Sequence, residues 1–101
     1  MKYNKLIRDK IPEIIKNNGK NPITHIASDN EYWESLKEKL KEEVIEFDKD
    51  SNEEEFADVL EVLEAIKDFK NFNQNNIEEI KEKKAEERGK FKKKLILDEV
   101  N

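Results

Sequence analysis

Residues 33–69 read WESLKEKLKEEVIEFDKDSNEEEFADVLEVLEAIKDF, and the pattern of apolar residues in this stretch indicates the fold class. Apolar residues recur at steps of three and four in its first half, and again in its second half after a short polar break. Such spacing puts apolar side chains on one face of an α-helix, so the stretch predicts two successive amphipathic helices. Their apolar faces carry Trp33, Leu36, Leu40, Val44 and Phe47 in the first helix, and Phe56, Val59, Leu60, Leu63 and Ile66 in the second.

Polar residues predict where these two helices begin and end. Asp29 or Asn30 suits the N-cap of the first helix, which we expect to end near Asp48. Ser51 and Glu54 have the spacing of a capping box, in which each side chain bonds the backbone amide of the other residue. We therefore expect the second helix to begin at Ser51, after a short turn.

Shorter elements flank this pair of helices. Residues 11–18 predict a short helix, and residues 20–28 predict a connector. A third long helix is predicted over residues 77–88, after an Asn-rich bend. We expect the tail, residues 91–101, to dock as a short strand or as a helical turn. The predicted fold class is therefore all-α, an antiparallel helix bundle with a short N-terminal helix and a docked C-terminal tail.

Composition limits what such a bundle can be. The chain has 101 residues, of which 35% are hydrophobic and 45% are charged, so we expect one domain over residues 1–101 with a small core. Self-association would enlarge that core, and Ile45, opposite the apolar stripe, is a candidate subunit contact. A net charge of −5 argues against a nucleic acid polymer as partner.

The hydropathy pattern bears on location. No run approaches the roughly 20 apolar residues of a membrane span, and the N-terminal segment lacks the apolar core of a signal peptide. We therefore expect a cytoplasmic protein with no membrane partner.

Four acids lie beside the two predicted apolar faces. At about 100° per residue, Glu43 falls on the edge of the first apolar stripe, with Glu46 one turn further on. Glu55 falls within the apolar arc of the second helix, and Asp58 lies one turn further along its flank. The two helices are therefore expected to present matching acidic pairs to each other.

Acidic pairs in such a position predict a metal site. Carboxylates that meet in a poorly hydrated site repel one another unless a cation neutralises them. The chain has no cysteine and one histidine, so oxygen must hold any metal, and Mg²⁺ prefers oxygen ligands. The alternative is that the pairs belong to solvated helix faces, since 25 acids in 101 residues produce such pairs easily.

The same acids resemble the motifs of a known family. Glu42, Glu43 and Glu46, followed by Glu55 and Asp58, are similar to the Glu-Glu-x-x-Glu and Glu-x-x-Asp signature of MazG-like all-α nucleotide pyrophosphohydrolases. Four segments resemble the small phosphoribosyl-ATP pyrophosphohydrolase-like branch: YNKLIRDKIPEII, KLKEEVIEF, EEEFADVLEVLEAI and EERGKFKKKLIL. The resemblance covers most of the chain.

This resemblance implies a reaction and a cofactor. The reaction is hydrolysis of a nucleoside triphosphate between its α and β phosphates, giving a nucleoside monophosphate and pyrophosphate in the removal of non-canonical nucleotides. Glu43, Glu46, Glu55 and Asp58 match the acids that hold Mg²⁺, for which Mn²⁺ can substitute. Glu42 or Glu46 is the expected general base. Family members are usually oligomeric, which implies a homodimer or a homotetramer.

Cations are expected to hold the rest of the triphosphate, because the acids are engaged with the metal. Arg8 and Lys10 are the first candidates, with Lys5 behind them. Arg88, at the end of the third long helix, and Lys84, one turn earlier, are the next. An arginine can bind phosphate through two parallel hydrogen bonds. The alternative for all five residues is a role in surface solubility.

Two other functions fit the same residues. A phosphoribosyl-ATP pyrophosphohydrolase of histidine biosynthesis shares the metal motif and the reaction. A non-catalytic helical module that binds a nucleotide or a protein would keep its acids for solubility. The position of Glu55 within an apolar arc favours an enzyme, because an acid that serves solubility has no reason to be partly buried.

Overall fold

The computed structural model describes residues 4–101, in which the regular elements are four α-helices. They are α1 (Ile11–Asn17), α2 (Asp29–Asp50), α3 (Glu53–Phe69) and α4 (Gln74–Arg88). These residues contain no strand, so the predicted all-α class is confirmed. The chain divides into two compact units, of which the first ends at Lys70 and the second spans Asn71–Asn101.

The first unit is organised by α2 and α3, which pack against each other as an antiparallel hairpin. Trp33, near the start of α2, stacks on Phe69, at the end of α3, with ring centroids 6.1 Å apart. Phe47, near the end of α2, contacts Phe56, near the start of α3, at 5.7 Å. Because aromatic contacts occur at both ends, the two helices are in register along their length.

The buried core of the hairpin is small. Leu36 on α2 and Val62 on α3 are the buried apolar side chains of the described residues, with 1% and 8% of their surface exposed. Other apolar side chains of the hairpin keep contact with solvent, among them Val44 and Leu60. The packing of α2 on α3 therefore depends on few residues.

Ser28 begins α2, where the sequence predicted Asp29 or Asn30. The backbone of Ser28 is extended, and its hydroxyl oxygen accepts a hydrogen bond from the backbone amide of Glu31 at 3.3 Å. This is the usual geometry of a serine N-cap. The predicted cap was wrong by one or two residues because several consecutive residues of this segment have side chains that can cap a helix.

The turn between α2 and α3 also differs from the prediction. Ser51 ends α2 in a left-handed conformation, with φ 48°, and its backbone amide donates to the carbonyl of Phe47. Asn52 begins α3, and its side-chain oxygen accepts from the backbone amide of Glu55 at 2.9 Å. The predicted capping box of Ser51 and Glu54 is therefore wrong, because α2 continues to Asp50 and uses Ser51 for its own end.

The segments before α2 agree with the prediction. Helix α1 carries Pro12 in its first turn, where a missing backbone amide costs nothing. Residues 20–28 have no regular structure and form the expected connector.

The second unit contains α4 and the tail. Asn73 caps α4 by accepting a hydrogen bond from the backbone amide of Asn76, and Gly89 ends the helix with φ 82°. Residues 91–101 form neither a helix nor a strand. The large apolar side chains of this segment are exposed: Phe91, Leu95, Ile96, Leu97 and Val100.

The predicted strand or helical turn of the tail is therefore wrong. Three consecutive lysines, residues 92–94, separate Phe91 from the apolar run that follows. The tail consequently lacks the continuous apolar face, of helical or strand period, that docking requires.

The four helices of residues 4–101 are too short or too polar to cross a membrane. None of them combines the length and the apolar content that a transmembrane segment requires.

Truncation of the core tests this description of the hairpin. Leu36→Ala is expected to lower the free energy of unfolding by about 2–5 kcal/mol, because it removes a fully buried side chain and leaves a cavity. Ile45→Ala is the matched control on the same helix, where 66% of the side chain is exposed, and it should change stability by about 0.5 kcal/mol or less. Urea denaturation at one protein concentration measures both, and equal losses would contradict the proposed core.

Candidate metal centre

Acids from both helices meet near the turn of the hairpin. Glu43, Glu55 and Asp58 each place one carboxylate oxygen so that the three oxygens lie within 4.8 Å of one another. All three side chains are partly buried. Three of the four acids predicted as metal ligands therefore form one group, to which α2 contributes one residue and α3 contributes two.

A second group adjoins the first and shares Glu55 with it. Its members are Glu46, Asp50 and Glu55, again with oxygens within 4.8 Å of one another. Glu46 was predicted as a metal ligand from the sequence, whereas Asp50 was not. Asp50 lies one helical turn after Glu46, which is a usable signal, but α2 was expected to end near Asp48. The two extra residues of α2 bring this carboxylate into the site.

Glu55 has an unfavourable electrostatic environment. Partial burial raises the pKa of its carboxyl above the ordinary value, and the negative charges of the other acids in the two groups raise it further. In the described part of the chain, no lysine or arginine forms an ion pair with Glu55. The ionised side chain thus lies among like charges without a compensating cation.

The backbone holds Glu55 in this position. Its amide donates to the side chain of Asn52, the N-cap of α3, so Glu55 is fixed in the first turn of that helix. The partial positive charge of a helix N-terminus favours an anion there. It offsets only part of the repulsion between several neighbouring acids. The cap therefore positions the residue that both acidic groups share.

The donor atoms of the first group suit a hard divalent cation. Mg²⁺ binds carboxylate oxygens at about 2.1 Å, so two oxygens on one ion lie up to about 4.2 Å apart. The three oxygens lie within 4.8 Å of one another, so small side-chain rotations would bring them onto one ion. Water commonly supplies the remaining ligands of Mg²⁺, and a site at the protein surface allows this.

Two cations contact the first group from its edge. Arg8 lies in the segment before α1, and its guanidinium is 2.9 Å from the carboxylate of Asp58. Lys39, one turn before Glu43 on α2, lies 3.3 Å from the carboxylate of Glu43. Arg8 was predicted as a phosphate ligand, and the structure places it beside the acids. Lys39 was missed, although its i,i+4 spacing to Glu43 indicates an ion pair.

Glu42 lies outside both acidic groups. Its carboxylate is 3.4 Å from the ammonium of Lys5 and 3.5 Å from that of Lys39. Of the two residues predicted as general base, Glu46 is therefore the one that lies among the clustered acids. Lys5, predicted as a phosphate ligand, contacts Glu42 instead of the clustered acids.

The other three predicted phosphate ligands belong to other segments of the chain. Lys10 immediately precedes α1 and is exposed. Lys84 and Arg88 belong to α4 in the second unit, and both are exposed. Their role in phosphate binding stays a prediction.

Part of the chain is similar to part of a known protein. A match to an uncharacterized protein of Mycolicibacterium smegmatis is 51% identical over 41 residues, which is 41% of this chain and 42% of that protein. The chain thus matches less than half the length of that relative. No family model matches the chain, and no solved structure does.

The environment of Glu55 predicts opposite effects of one substitution with and without metal. Glu55→Gln should raise the melting temperature of the metal-free protein at neutral pH by a few degrees, because it removes a charge that burial and neighbouring acids disfavour. The same substitution should abolish the stabilisation by Mg²⁺. For a cation that binds only the folded state, that stabilisation is about 2.7 kcal/mol at a concentration of about 100 times its Kd. Thermal denaturation in chelator and in Mg²⁺ measures both effects.

The pH dependence has a defined sign. A carboxyl with a raised pKa opposes folding when it is ionised, so the advantage of Glu55→Gln should shrink as the pH falls through the pKa of Glu55. Glu64→Gln is the control, because Glu64 is an exposed acid of α3 that pairs with Lys67. A Mg²⁺ response that survives in Glu55→Gln and vanishes in Glu64→Gln would exclude this site.

Proposed function

We propose that this chain hydrolyses nucleoside triphosphates between the α and β phosphates in a reaction that requires Mg²⁺. The observation that carries the proposal is the partly buried group of Glu43, Glu55 and Asp58 on two packed helices. The reaction itself comes from the resemblance to MazG-like pyrophosphohydrolases, and removal of non-canonical nucleotides is the role that this resemblance implies.

The acids would divide two tasks between them. Glu43, Glu55 and Asp58 would hold the cation, since their oxygens converge and Glu55 has no cationic partner among the described residues. When bound, Mg²⁺ neutralises phosphate oxygens and lowers the pKa of a nearby water molecule. Glu46 and Asp50 extend the acidic surface from the same cluster, and either can share in cation binding.

Glu46 is our candidate for the general base. It lies next to the proposed ligands, whereas Glu42 is engaged with two lysines. Its carboxylate would accept a proton from water as the water oxygen bonds to phosphorus. The bond between that phosphorus and the bridging oxygen breaks, and a nucleoside monophosphate and pyrophosphate separate. Phosphoryl transfer of this kind depends mainly on positioning and on neutralised charge.

Arg8 is our candidate for binding the triphosphate. Its guanidinium is exposed on one side and pairs with Asp58 on the other. A cation that binds Asp58 competes with this ion pair, so Arg8 becomes available to an anion beside the metal. Arginine suits that task because it binds phosphate oxygens through parallel hydrogen bonds. Lys39 stands in a similar relation to Glu43.

A non-catalytic helical module is the second candidate. The ion pairs of Arg8 with Asp58 and of Lys39 with Glu43 favour it, because they neutralise two of the three acids without a metal. Glu55 favours the metal centre, because an unpaired acid among other acids is a cost that a mere solubility role leaves unexplained.

Pyrophosphate release tests the proposed reaction. We expect Mg²⁺-dependent release from at least one member of a panel of canonical, deoxy, oxidised and deaminated triphosphates together with phosphoribosyl-ATP. Glu55→Gln should lower kcat/KM at least about 100-fold, since the catalytic cation is lost, whereas Glu64→Gln should stay within about twofold. Release from phosphoribosyl-ATP alone would assign the histidine-pathway reaction.

Failure of the panel has a definite meaning. If the wild-type protein releases no pyrophosphate from any of these substrates while Mg²⁺ still raises its melting temperature, the pyrophosphohydrolase proposal is wrong. A cation-binding module would then be the better account of the acids.

A substitution of Arg8 separates phosphate binding from metal binding. Arg8→Gln should raise KM for the triphosphate about tenfold or more, the loss expected for a charged hydrogen bond to phosphate. The affinity for Mg²⁺ without substrate should stay the same or increase, because the competing partner of Asp58 is gone. Steady-state kinetics and calorimetric Mg²⁺ titration measure the two constants. A weakened affinity for Mg²⁺ with an unchanged KM would contradict this role.

A further inference from the structure

The end of α4 and the residues after it combine positive charge with exposed apolar side chains. Residues 88–97 read RGKFKKKLIL, and we call them the basic tail segment. This segment contains five cations and no acid, in a chain whose 25 acids outnumber its 20 cations. Phe91 is 99% exposed, and each residue of the apolar run 95–97 is at least 79% exposed. The segment is therefore a distinct surface feature of the second unit.

The cations of this segment have no anionic partner among the described residues. The arginine and the four lysines are exposed, and none of them forms an ion pair within residues 4–101. Elsewhere in the chain, Lys5, Lys39 and Lys67 each pair with a glutamate. Five unpaired cations within seven residues repel one another and attract anions. The segment thus favours an anionic ligand.

The backbone brings the charged and the apolar side chains to one concave surface. Gly89 ends α4 with φ 82°, the chain turns at residues 92–93, and Lys94 is left-handed with φ 58°. Residues 88–96 thereby line an open recess of about 580 Å³. The four lysines border this recess together with Phe91 and the first two residues of the apolar run. Anionic and apolar groups of one ligand would therefore meet the segment at the same place.

We propose that the basic tail segment binds the surface of a membrane that contains anionic lipids. Such a surface presents negatively charged headgroups above an apolar interior. Each lysine or arginine near it raises the affinity about fivefold, and phenylalanine and leucine side chains enter the boundary between headgroups and acyl chains. Stable attachment to a membrane surface takes two such signals together. This segment supplies both within ten residues.

A lipid surface suits these residues better than a nucleic acid or an acidic protein does. A nucleic-acid backbone would use the cations and leave the aliphatic residues 95–97 in water. A groove on a protein commonly selects an apolar face of helical or strand period, which this segment lacks. A bilayer accepts both kinds of side chain without requiring such a face. The expectation of no membrane partner followed from the lack of a spanning run, whereas this proposal concerns the membrane surface.

Co-sedimentation with vesicles tests the proposal directly. The full chain should sediment with vesicles of phosphatidylcholine and phosphatidylserine, and it should stay in the supernatant with vesicles of phosphatidylcholine alone. The buffer contains chelator, so that a divalent cation on the acids of the hairpin cannot link the protein to a lipid headgroup. Added salt should weaken the binding, because it screens the attraction between the lysines and the headgroups.

Reversal of two charges separates this segment from the rest of the surface. Lys93→Glu with Lys94→Glu should weaken binding to the phosphatidylserine vesicles at least about 30-fold, because two favourable cations are lost. Both residues lie outside the four helices, so the variant should keep its helicity. Lys81→Glu with Lys83→Glu is the matched control, since these exposed lysines of α4 give the same change in net charge. Binding of the control should fall about fivefold or less.

The apolar contribution has its own test. Leu95→Ser with Leu97→Ser should weaken vesicle binding about tenfold or more, because two apolar side chains no longer leave water. Ile45→Ser, which changes an exposed apolar residue of α2, should leave binding within about twofold.

Three results would overturn the proposal: no binding to the phosphatidylserine vesicles, equal losses in the two charge variants, or unchanged binding of the leucine variant. Retention of the protein on immobilised polyglutamate without vesicle binding would assign the segment to an acidic protein instead. None of these outcomes depends on hydrolytic activity.

Discussion

The antiparallel contact between α2 and α3 organises the first unit of the chain. It buries Leu36 and Val62, and it brings Glu43 of one helix to Glu55 and Asp58 of the other. The same contact turns the half-exposed side chains of Val44 and Leu63 toward the opposite side. One packing arrangement therefore produces both an acidic flank and an apolar flank, and a shift of α3 by one residue would disperse both.

The acidic flank illustrates a conflict between stability and function. Burial and neighbouring carboxylates raise the pKa of Glu55, so we expect the metal-free protein to be less stable at neutral pH than a variant with an uncharged residue there. Arg8 and Lys39 offset part of the repulsion by pairing with Asp58 and Glu43. A divalent cation would remove the rest. Sites that bind ligands commonly have this unfavourable character when the ligand is absent.

Much of this architecture could be predicted from the sequence because it depends on the spacing of residues along each helix. Steps of three and four identified α2 and α3, and the same helical geometry predicted that Glu43, Glu55 and Asp58 lie on facing surfaces. The predictions that were wrong concern helix ends, where neighbouring residues compete for the same role. Ser51 can end one helix or begin the next, and the end of α2 at Asp50 decided both the cap and the presence of a fifth acid in the cluster.

The pairing of Arg8 with Asp58 joins residues that are 50 positions apart, a distance that no local pattern reports. The acids that resemble the MazG-like motifs indicate a cation and not a particular nucleotide, so the substrate stays a proposal.

Paramagnetic relaxation by Mn²⁺ tests the proposal that these acids converge to hold a divalent cation. In a titration of ¹⁵N-labelled protein followed by NMR, we expect the first additions of Mn²⁺ to broaden selectively the amide signals around Glu43, Glu55 and Asp58. Excess Mg²⁺ should reverse that broadening. Broadening that begins equally at other exposed acids, such as Glu64 and Glu78, would show that Mn²⁺ binds the acidic surface without a preferred site and would contradict the claim.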